Sequence, residues 1–270
     1  MHRPRARRLD RVTPMTYVLG IDIGGSGIKG APVDLVTGDF AAERVRIPTP
    51  AASTPSNVAD VVAEIVAGFA DQIGDSPIGI TIPSVVTHGV TRSAANIDKS
   101  WIDAPAEKIF AERLGRPVVL VNDADAAGMA EVRFGAAKDH PGLVLVTTLG
   151  TGIGSALIYR GVLVPNTELG HIEIDGLDAE TQAAASVRER LSLSFDQYVP
   201  RLQRYYEVLE SLFWPDLLVV GGGISKNSHK FLPQLRLKTP IVPAQLRNKA
   251  GIIGAAALAV AEAEHPDPLA

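Results

Sequence analysis

The stretch "VLGIDIGGSGIKG", residues 18–30, decides the fold, because it joins two apolar segments through a bend that is rich in glycine. Apolar residues run or alternate over 17–23 and again over 28–36, as they do in partly buried strands. The segment therefore predicts a strand hairpin. Two charged residues, Asp22 and Lys29, lie at either end of the bend, and a plain hairpin does not require them.

The rest of the chain alternates between strand and helix patterns. The segment "LVLVTTLGTGIGSALIY" repeats the opening order of apolar strand, glycine bend and second strand. Further strands are predicted near 43–47 and over 77–82, 117–122, 143–159 and 215–223, and helices from Thr54 and Pro55, over 103–115, within 180–212 and over 250–263. This alternation predicts an α/β fold, and the repeat predicts two related α/β domains around a central cleft.

The patterns divide the chain into three predicted regions. Residues 1–15 form a disordered basic tail, 16–124 the N-terminal α/β domain and 125–249 the C-terminal α/β domain. We expect the helix at 250–264 to pack back on the N-terminal domain. Five arginines and one aspartate give the tail a net charge of +4, which leaves −8 for the remainder. The body therefore lacks an excess of basic residues, and we predict no nucleic-acid partner.

Composition narrows the class of protein further. The 270 residues are 46% hydrophobic, which is enough for one large or two modest domains. The longest apolar run, "AGIIGAAALAVA" at 250–261, is too short to span a bilayer, and no apolar segment of a secretory signal follows the tail. We therefore expect a cytoplasmic protein without a membrane partner. The absence of cysteine excludes disulfides, a thiolate zinc site and a cysteine nucleophile.

The spacing of Gly25, Gly27 and Gly30 also satisfies the G-x-G-x-x-G fingerprint of dinucleotide-binding folds. That fingerprint requires a helix directly after the glycines, whereas "IKGAPVDLV" has the pattern of a strand. The chain also lacks G-x-x-x-x-G-K-[ST], so it contains no P-loop. What remains is a hairpin turn with exposed backbone N–H groups, which either holds phosphate oxygens or is a plain hairpin.

Three glycine clusters favour phosphate binding over a plain hairpin. The opening bend, the bend at 150–152 and the glycines of "VVGGGISKN" each follow a predicted strand, so three loops are expected to converge on one polyphosphate ligand. The predicted phosphate-binding residues are Gly24, Gly25, Ser26, Gly27, Lys29, Gly150, Thr151, Gly152, Gly222 and Gly223.

Five segments also carry a family resemblance: "DIGGSGIKG", "VNDADAAGMAE", "TTLGTGIGSAL", "VVGGGISKN" and "AGIIGAAALA". Their order resembles the phosphate, connecting and adenosine segments of sugar kinases in the actin-like ATPase superfamily. The segment "ELGHIEIDG" (168–176) is similar to the E-x-G-H signature of ROK sugar kinases, and the combination resembles their polyphosphate glucokinase and glucomannokinase branch.

The resemblance implies both a fold and a reaction. The implied fold has two ribonuclease-H-like domains of the actin-like ATPase type. The implied activity is that of a glucokinase, which transfers a phosphoryl group from polyphosphate, ATP or both to the 6-hydroxyl of glucose, with mannose as a further candidate acceptor. The sugar and the phosphoryl donor are then the expected partners, and both a monomer and a homodimer remain open.

The resemblance also implies the catalytic base. The aspartate that takes the proton of the 6-hydroxyl in this family matches Asp123, which follows "PVVLVN" at the start of a helical pattern. The alternative is that Asp123 only caps this helix. Asp125 is the nearby competitor, and we expect it to be the better solvated of the two carboxylates.

Asp22 ends the first predicted strand beside the phosphate bend, where a carboxylate can bind Mg²⁺ through water. Its alternative role is that of a turn-forming side chain. Lys29 is expected either to contact the transferring phosphate or to be an ordinary solvated lysine. We therefore predict Mg²⁺ as the cofactor, with polyphosphate or ATP as the donor.

Sugar selection requires several polar groups fixed around the hydroxyls. The E-x-G-H match implies Glu168 and His171, and resemblance to a second glutamate of the family implies Glu180. Asn122 completes the predicted set, with Asn96 and Ser84 as further contacts. For the glutamates the alternative is a surface charge. The wider ROK family carries a cysteine-rich zinc motif soon after the Gly-His pair, and this chain has no cysteine. We therefore expect no zinc, which leaves His171 able to bond a sugar hydroxyl as a neutral group.

Basic residues near the later glycine motifs predict a track for a phosphate chain: Lys226, Arg247 and Lys249. The alternative is that they are ordinary surface charges.

The rival functions are an ATP-dependent kinase for another hexose or an N-acetylhexosamine, a sugar-responsive transcription regulator, and a chaperone-like actin relative. We expect too few residues before the first strand for a helix-turn-helix domain, and a chaperone does not need the E-x-G-H signature.

Overall fold

A computed structural model describes residues 17–94 and 97–264, and the predicted basic tail lies outside them. The strands are β1 (Tyr17–Gly24), β2 (Gly27–Asp34), β3 (Asp39–Phe40), β4 (Val45–Ile47), β5 (Ile78–Ile82), β6 (Val86–Thr87), β7 (Val90–Thr91), β8 (Val118–Asn122), β9 (Leu143–Leu149), β10 (Ile153–Tyr159), β11 (Val162–Val164), β12 (Glu173–Ile174), β13 (Leu177–Asp178), β14 (Leu217–Gly221) and β15 (Ile241–Pro243). Both predicted hairpins are confirmed, since β1 pairs antiparallel with β2 and β9 with β10.

The α-helices are α1 (Pro55–Gly68), α2 (Ala70–Ile73), α3 (Ala106–Leu114), α4 (Asp123–Phe134), α5 (Glu180–Ala183), α6 (Ala185–Arg190), α7 (Phe195–Phe213) and α8 (Ala250–Glu264). The predicted start of α1 is confirmed, because the Thr54 side chain accepts a hydrogen bond from the N–H of Asn57 and proline follows it. The predicted end of α3 is confirmed at Gly115, which adopts the left-handed conformation (φ 65°).

The two large sheets have the same strand order. In the first sheet the order is β3-β2-β1-β5-β8, with β4 also paired to β2, and in the second it is β11-β10-β9-β14-β15. In each sheet the first long strand pairs antiparallel with its hairpin partner and parallel with the strand on its other side. The predicted α/β fold with two related halves is confirmed by this repeat.

Helices cover both faces of both sheets. One face of the first sheet packs against α1 and α3, and the other packs against α8. The second sheet packs against α7 on one face and α4 on the other. Because α4 and α8 also contact each other, they form the layer between the two sheets. The position of the boundary between two domains stays a prediction.

Glycines permit a very close approach between the first sheet and α8. A Cβ atom at Gly20 would overlap the carbonyl oxygen of Ile252, and one at Gly79 would overlap that of Ala255. Gly254, on the helix itself, faces the backbone of Ala126 in α4 in the same way. Backbone therefore packs on backbone through the centre of the molecule, and this contact fixes the separation of the two sheets.

The helical pattern predicted over 180–212 is confirmed, but the structure divides this region into the three helices α5, α6 and α7. The backbone is extended at Ala184 (ψ 152°), which separates α5 from α6. The longest helix, α7, then starts at a capping box in which Ser194 and Gln197 exchange side-chain and backbone hydrogen bonds. Among the described residues, every helix is too short or too polar to cross a membrane.

We predict that Gly79→Ala lowers the free energy of unfolding by about 1–3 kcal/mol, because the added methyl forces α8 away from the sheet. Urea denaturation of the purified variant measures this change. Gly68→Ala is the matched control, since nothing lies within 4 Å of a Cβ atom there. That control should be neutral or more stable by up to about 1 kcal/mol, and equal losses in both variants would contradict the role assigned to the close approach.

Candidate active site

A cavity of about 940 Å³ opens between the two sheets, at the carboxyl ends of their central strands. Residues from both halves of the chain line it, including many of those predicted to bind phosphate, metal or sugar. The predicted residues that line it are Asp22, Gly24, Gly25, Ser26, Ser84, Asn122, Asp123, Gly150, Thr151, Gly152, Glu168, His171, Glu180 and Gly222. We call this space the large cavity.

A second cavity of about 350 Å³ adjoins the first and is called the small cavity below. Four residues line both spaces: Asp22, Asp123, Thr148 and Gly222. The small cavity adds three basic side chains, which are those of Lys29, Arg44 and Arg247. The two aspartates therefore lie where an acidic space meets one with a cationic wall.

Asp22 and Lys29 are direct neighbours across the first hairpin. The Lys29 ammonium donates a hydrogen bond to Asp22 Oδ2 at 2.9 Å, and Thr81 donates from its hydroxyl to Oδ1 at 3.2 Å. Both charged side chains are about three-quarters buried. Lys29 is thus a partner of the carboxylate at the cavity wall rather than a lysine that contacts only solvent.

Side chains outside the first glycine turn hold its shape. Arg46 donates a hydrogen bond to the carbonyl oxygen of Ser26 at 2.7 Å, and Thr49 donates to that of Gly24. A Cβ atom at Gly27 would overlap the Arg46 guanidinium. Arg46 and Thr49 thus bond two carbonyl groups of the turn without lining the large cavity, whereas Gly24, Gly25 and Ser26 of the turn line it.

The second turn, at 150–152, contacts the loop that follows β14. Gly222 is left-handed (φ 78°), and a Cβ atom there would overlap the backbone of Leu149. Across the same turn, Glu180 accepts a hydrogen bond from the N–H of Ile153 at 2.9 Å. The convergence of glycine loops expected from the sequence is therefore present in the structure.

Asp123 is the first residue of α4 and directly follows β8. Its neighbour Asn122 makes the helix cap, because Asn122 Oδ1 accepts hydrogen bonds from the N–H groups of Ala124 at 2.8 Å and Asp125 at 3.2 Å. The alternative that Asp123 only caps the helix is wrong. Its carboxylate is exposed to the cleft and remains available for chemistry.

Burial is the largest cause of a raised pKa at both neighbouring aspartates. Desolvation in the cleft, followed by the charges of Asp22 and Glu168, raises the pKa of Asp123 to about 6. Burial raises the pKa of Asp125 to about 7. The expectation that Asp125 is the better solvated carboxylate is wrong, since that residue is only 2% exposed and does not line either cavity.

Of the predicted sugar residues, Asn122, Glu168, His171 and Glu180 line the large cavity. Partial burial and then the charge of Glu180 raise the pKa of Glu168, although His171 opposes that shift. His171 Nδ1 lies 2.9 Å from Asp178 Oδ2, and this hydrogen bond raises the pKa of the imidazole. The bond orients the ring and leaves Nε2 as the nitrogen free for a ligand.

Asp178 is a site residue that the sequence did not reveal. It lies on β13, which pairs with β12 around the Asp-Gly turn of "EIDGLD". That turn signal predicts the short hairpin, but it does not show that the hairpin brings residue 178 to His171. Arg44 was missed for the same reason, because its place in the small cavity depends on contacts between distant segments.

Not every predicted residue is found among the described residues that line the two cavities. Asn96 falls outside the described residues, and Gly27 and Gly223 line neither cavity. Lys249 pairs with Asp39 at 2.6 Å, and neither residue lines the two cavities. Lys226 lines a third cavity, of about 630 Å³, together with Arg247.

The donor groups around Asp22 and Asp123 suit a hard cation. Mg²⁺ prefers carboxylate and phosphate oxygens and retains water, and both carboxylates face the space where the phosphate loops converge. Within the described ranges, no group of three histidine or acidic side chains has the arrangement of a protein-only metal site.

Known proteins are similar to this chain over most of its length. The model of the ROK family matches residues 18–187. Polyphosphate glucokinase from Mycobacterium tuberculosis (strain H37Rv) is 48% identical over 263 residues, which are 97% of this chain and 98% of the relative.

Solved structures give the same result for the fold. The crystal structure of inorganic polyphosphate/ATP-glucomannokinase from Arthrobacter sp. strain KM matches with a TM-score of 0.86 at 55% identity, over 92% of this chain and 99% of that one. A ROK family glucokinase from Streptomyces griseus, in complex with glucose and AMPPNP, matches with a TM-score of 0.77 at 26% identity, over 91% and 99%. The predicted ribonuclease-H-like fold of the actin-like ATPase type is confirmed by these matches.

We predict that Asp178→Asn lowers the pKa of His171, because the amide no longer stabilises the imidazolium ion. An NMR titration of the histidine ring protons, assigned with a His171→Gln variant, measures the shift. Asp175→Asn, in the same hairpin, is the control, since that carboxylate pairs with Arg204 instead. An unchanged titration of His171 in Asp178→Asn would contradict the assignment of Asp178 as its partner.

Proposed function

The chain belongs to the ROK family, and from this membership we propose that it is a hexose kinase that phosphorylates glucose at O6 with polyphosphate or ATP. One observation carries the proposal: Asp123 lies at the junction of the two cavities, between the sugar candidates on one side and the cationic wall on the other. In-line phosphoryl transfer needs the acceptor and the donor on opposite sides of one reacting centre.

Asp123 is the general base in this proposal. As the O6–phosphorus bond forms, the hydroxyl proton passes to the Asp123 carboxylate, and the bond to the leaving phosphate breaks. Its pKa of about 6 suits the role, because most of the carboxylate is ionised at neutral pH and yet accepts a proton more readily than an ordinary aspartate. The Asn122 cap holds the residue in place by fixing the first turn of α4.

Glu168, His171 and Glu180 hold the sugar in this proposal. Acidic groups and imidazole nitrogen can each bond a hydroxyl, and several such bonds reject sugars with a missing or misplaced hydroxyl. Glu180 also accepts a bond from the second glycine turn, so it connects the sugar wall to the phosphate loops. The Asp178 carboxylate keeps the His171 ring oriented for this task.

The glycine turns hold the donor phosphates through their backbone N–H groups. Lys29 offsets negative charge beside the transferred group, and its contact with Asp22 keeps it at the cavity wall. Asp22 would hold Mg²⁺ together with the donor phosphates, and the ion would neutralise charge on their oxygens. The protein supplies positioning and electrostatic stabilisation, which together account for most of the catalysis in reactions of this class.

Product formation tests the function directly. Purified protein with Mg²⁺ is assayed for glucose 6-phosphate, with nucleotide-free polyphosphate in one series and ATP in the other, and mannose and N-acetylglucosamine are compared as acceptors. The proposal expects glucose 6-phosphate with at least one donor. A preference for N-acetylglucosamine, or no transfer with either donor, would overturn it.

We predict that Asp123→Asn lowers kcat by about 10²–10⁴-fold, because the amide cannot accept the proton. Isothermal titration with glucose alone should still detect binding close to that of the unchanged protein. Asp71→Asn, at an exposed position in α2, serves as the matched control and should retain full activity. Near-normal turnover of Asp123→Asn would exclude this residue as the base.

A cationic path leads away from the reacting centre. Arg247 lines both the small cavity and the third cavity, which also contains Lys226. Arg44 lines the small cavity and donates a hydrogen bond to the carbonyl oxygen of Asn248 at 3.3 Å. We propose that these three basic residues, and not Lys249, bind the distal phosphates of a polyphosphate chain.

The path predicts a difference between donors. Replacing Arg44, Arg247 and Lys226 together with alanine should raise the KM for long-chain polyphosphate at least about tenfold more than the KM for ATP, because ATP has only three phosphates. Steady-state kinetics with each donor at saturating glucose measures the ratio. Lys249→Ala should leave that ratio unchanged, and equal effects of the triple replacement on both donors would disprove the path.

A further inference from the structure

The side chain of Asn166 pairs with the backbone of a distant strand. Asn166 Oδ1 accepts a hydrogen bond from the N–H of Val86 at 2.9 Å, and its Nδ2 donates to the carbonyl oxygen of Val86 at 2.7 Å. The amide therefore satisfies both backbone groups of one residue, as a neighbouring strand would. The contact joins segments that are 80 residues apart, one from each half of the chain.

Val86 belongs to β6 of the short β6–β7 hairpin. One edge of β6 pairs with β7, and the opposite edge carries the two hydrogen bonds to Asn166. The residues at the base of this hairpin line the large cavity, namely Ser84, Val85 and Ser93. The Ser84 hydroxyl donates a hydrogen bond to the carbonyl oxygen of Ser93 at 2.7 Å and accepts one from the Ser93 N–H at 3.2 Å, so the two ends of the hairpin are joined at its base. A shift of the hairpin would therefore move one wall of the cavity.

Asn166 is itself held by a buried carboxylate. Its backbone N–H donates to Asp125 Oδ2 at 2.8 Å, and its backbone is left-handed (φ 58°). Asparagine tolerates this conformation better than most residues with a side chain. Because Asp125 is only 2% exposed and belongs to the first turn of α4, the anchor is connected to the helix that presents Asp123.

The segment that follows Asn166 carries the predicted sugar residues. Glu168 lies two residues later and lines the large cavity. On its far side, the N–H of Leu169 donates to the hydroxyl of Ser155 at 2.9 Å. Glu168 is thus fixed between two anchors, one at Asn166 and one at β10.

We propose that Asn166 is a positioning residue of the acceptor site, which fastens the β6–β7 hairpin to the Glu168 segment and sets the width of the sugar cavity. The inference rests on the proposed function only in assigning the large cavity to the sugar. Asn166 does not line that cavity, so its effect passes through the hairpin base and Glu168. Without the side-chain amide, the outer edge of β6 would lose its partner and the two walls would no longer be joined.

The test uses Asn166→Gly, which removes the side-chain amide but keeps the left-handed backbone and the N–H that bonds Asp125. We expect the glucose KM and the glucose Kd to rise about tenfold, the effect of losing two modest hydrogen bonds. The KM for ATP should stay within about twofold. Hydrogen exchange of the sugar-free protein should show faster exchange of the Val86 amide.

Arg160→Gly is the matched control, because Arg160 is also left-handed (φ 53°) and lines neither catalytic cavity. It should leave glucose binding unchanged. Asn166→Asp is a second variant, which keeps an acceptor for the Val86 N–H but loses the donor to its carbonyl group. It should also weaken glucose binding.

Two results would overturn the proposal. The first is unchanged glucose affinity in Asn166→Gly while the unchanged protein binds glucose. The second is hydrogen exchange of the Val86 amide in the unchanged protein that is as fast as that of an unprotected amide. This measurement tests the bond between Val86 and Asn166 even where a variant fails to fold. If the unchanged protein binds no glucose, the proposed function fails, whereas the exchange of the Val86 amide still tests the fastening itself.

Discussion

The connection from β8 to α4 is the constraint on which the site depends. The strand belongs to the first sheet, the helix packs on the second, and Asn122 caps the helix with two hydrogen bonds at the crossing point. The residue after that cap must therefore lie between the halves, and this residue is Asp123. Gly254 allows α8 to pack closely on α4, and this packing holds the start of α4 in place between the two sheets.

Negative charge is concentrated at this crossing point, and the charges influence one another. Asp22 and Glu168 both raise the pKa of Asp123, and Glu180 raises that of Glu168. A phosphate chain would add further negative charge, so the site requires compensation. In the proposed function, the three basic residues of the small cavity, Lys29, Arg44 and Arg247, would supply it together with a bound cation.

The sequence predicted the features that depend on neighbouring residues. Both glycine hairpins, the start of α1 and the placement of Asp123 at a strand end follow from patterns a few residues long. The partners of His171 and Asn166 and the burial of Asp125 depend on contacts between distant segments, which no local pattern contains. The ion pair between Lys249 and Asp39 likewise joins residues that are 210 positions apart, so no local pattern shows it.

The pH dependence of kcat/KM for glucose, at saturating donor, tests the central claim that Asp123 is a base with a raised pKa. A base acts in its deprotonated form, so the account predicts activity that falls about tenfold per pH unit below about pH 6 and is level above it. A profile that is flat from about pH 5 to pH 8, or that declines as the pH rises through 6, would contradict it.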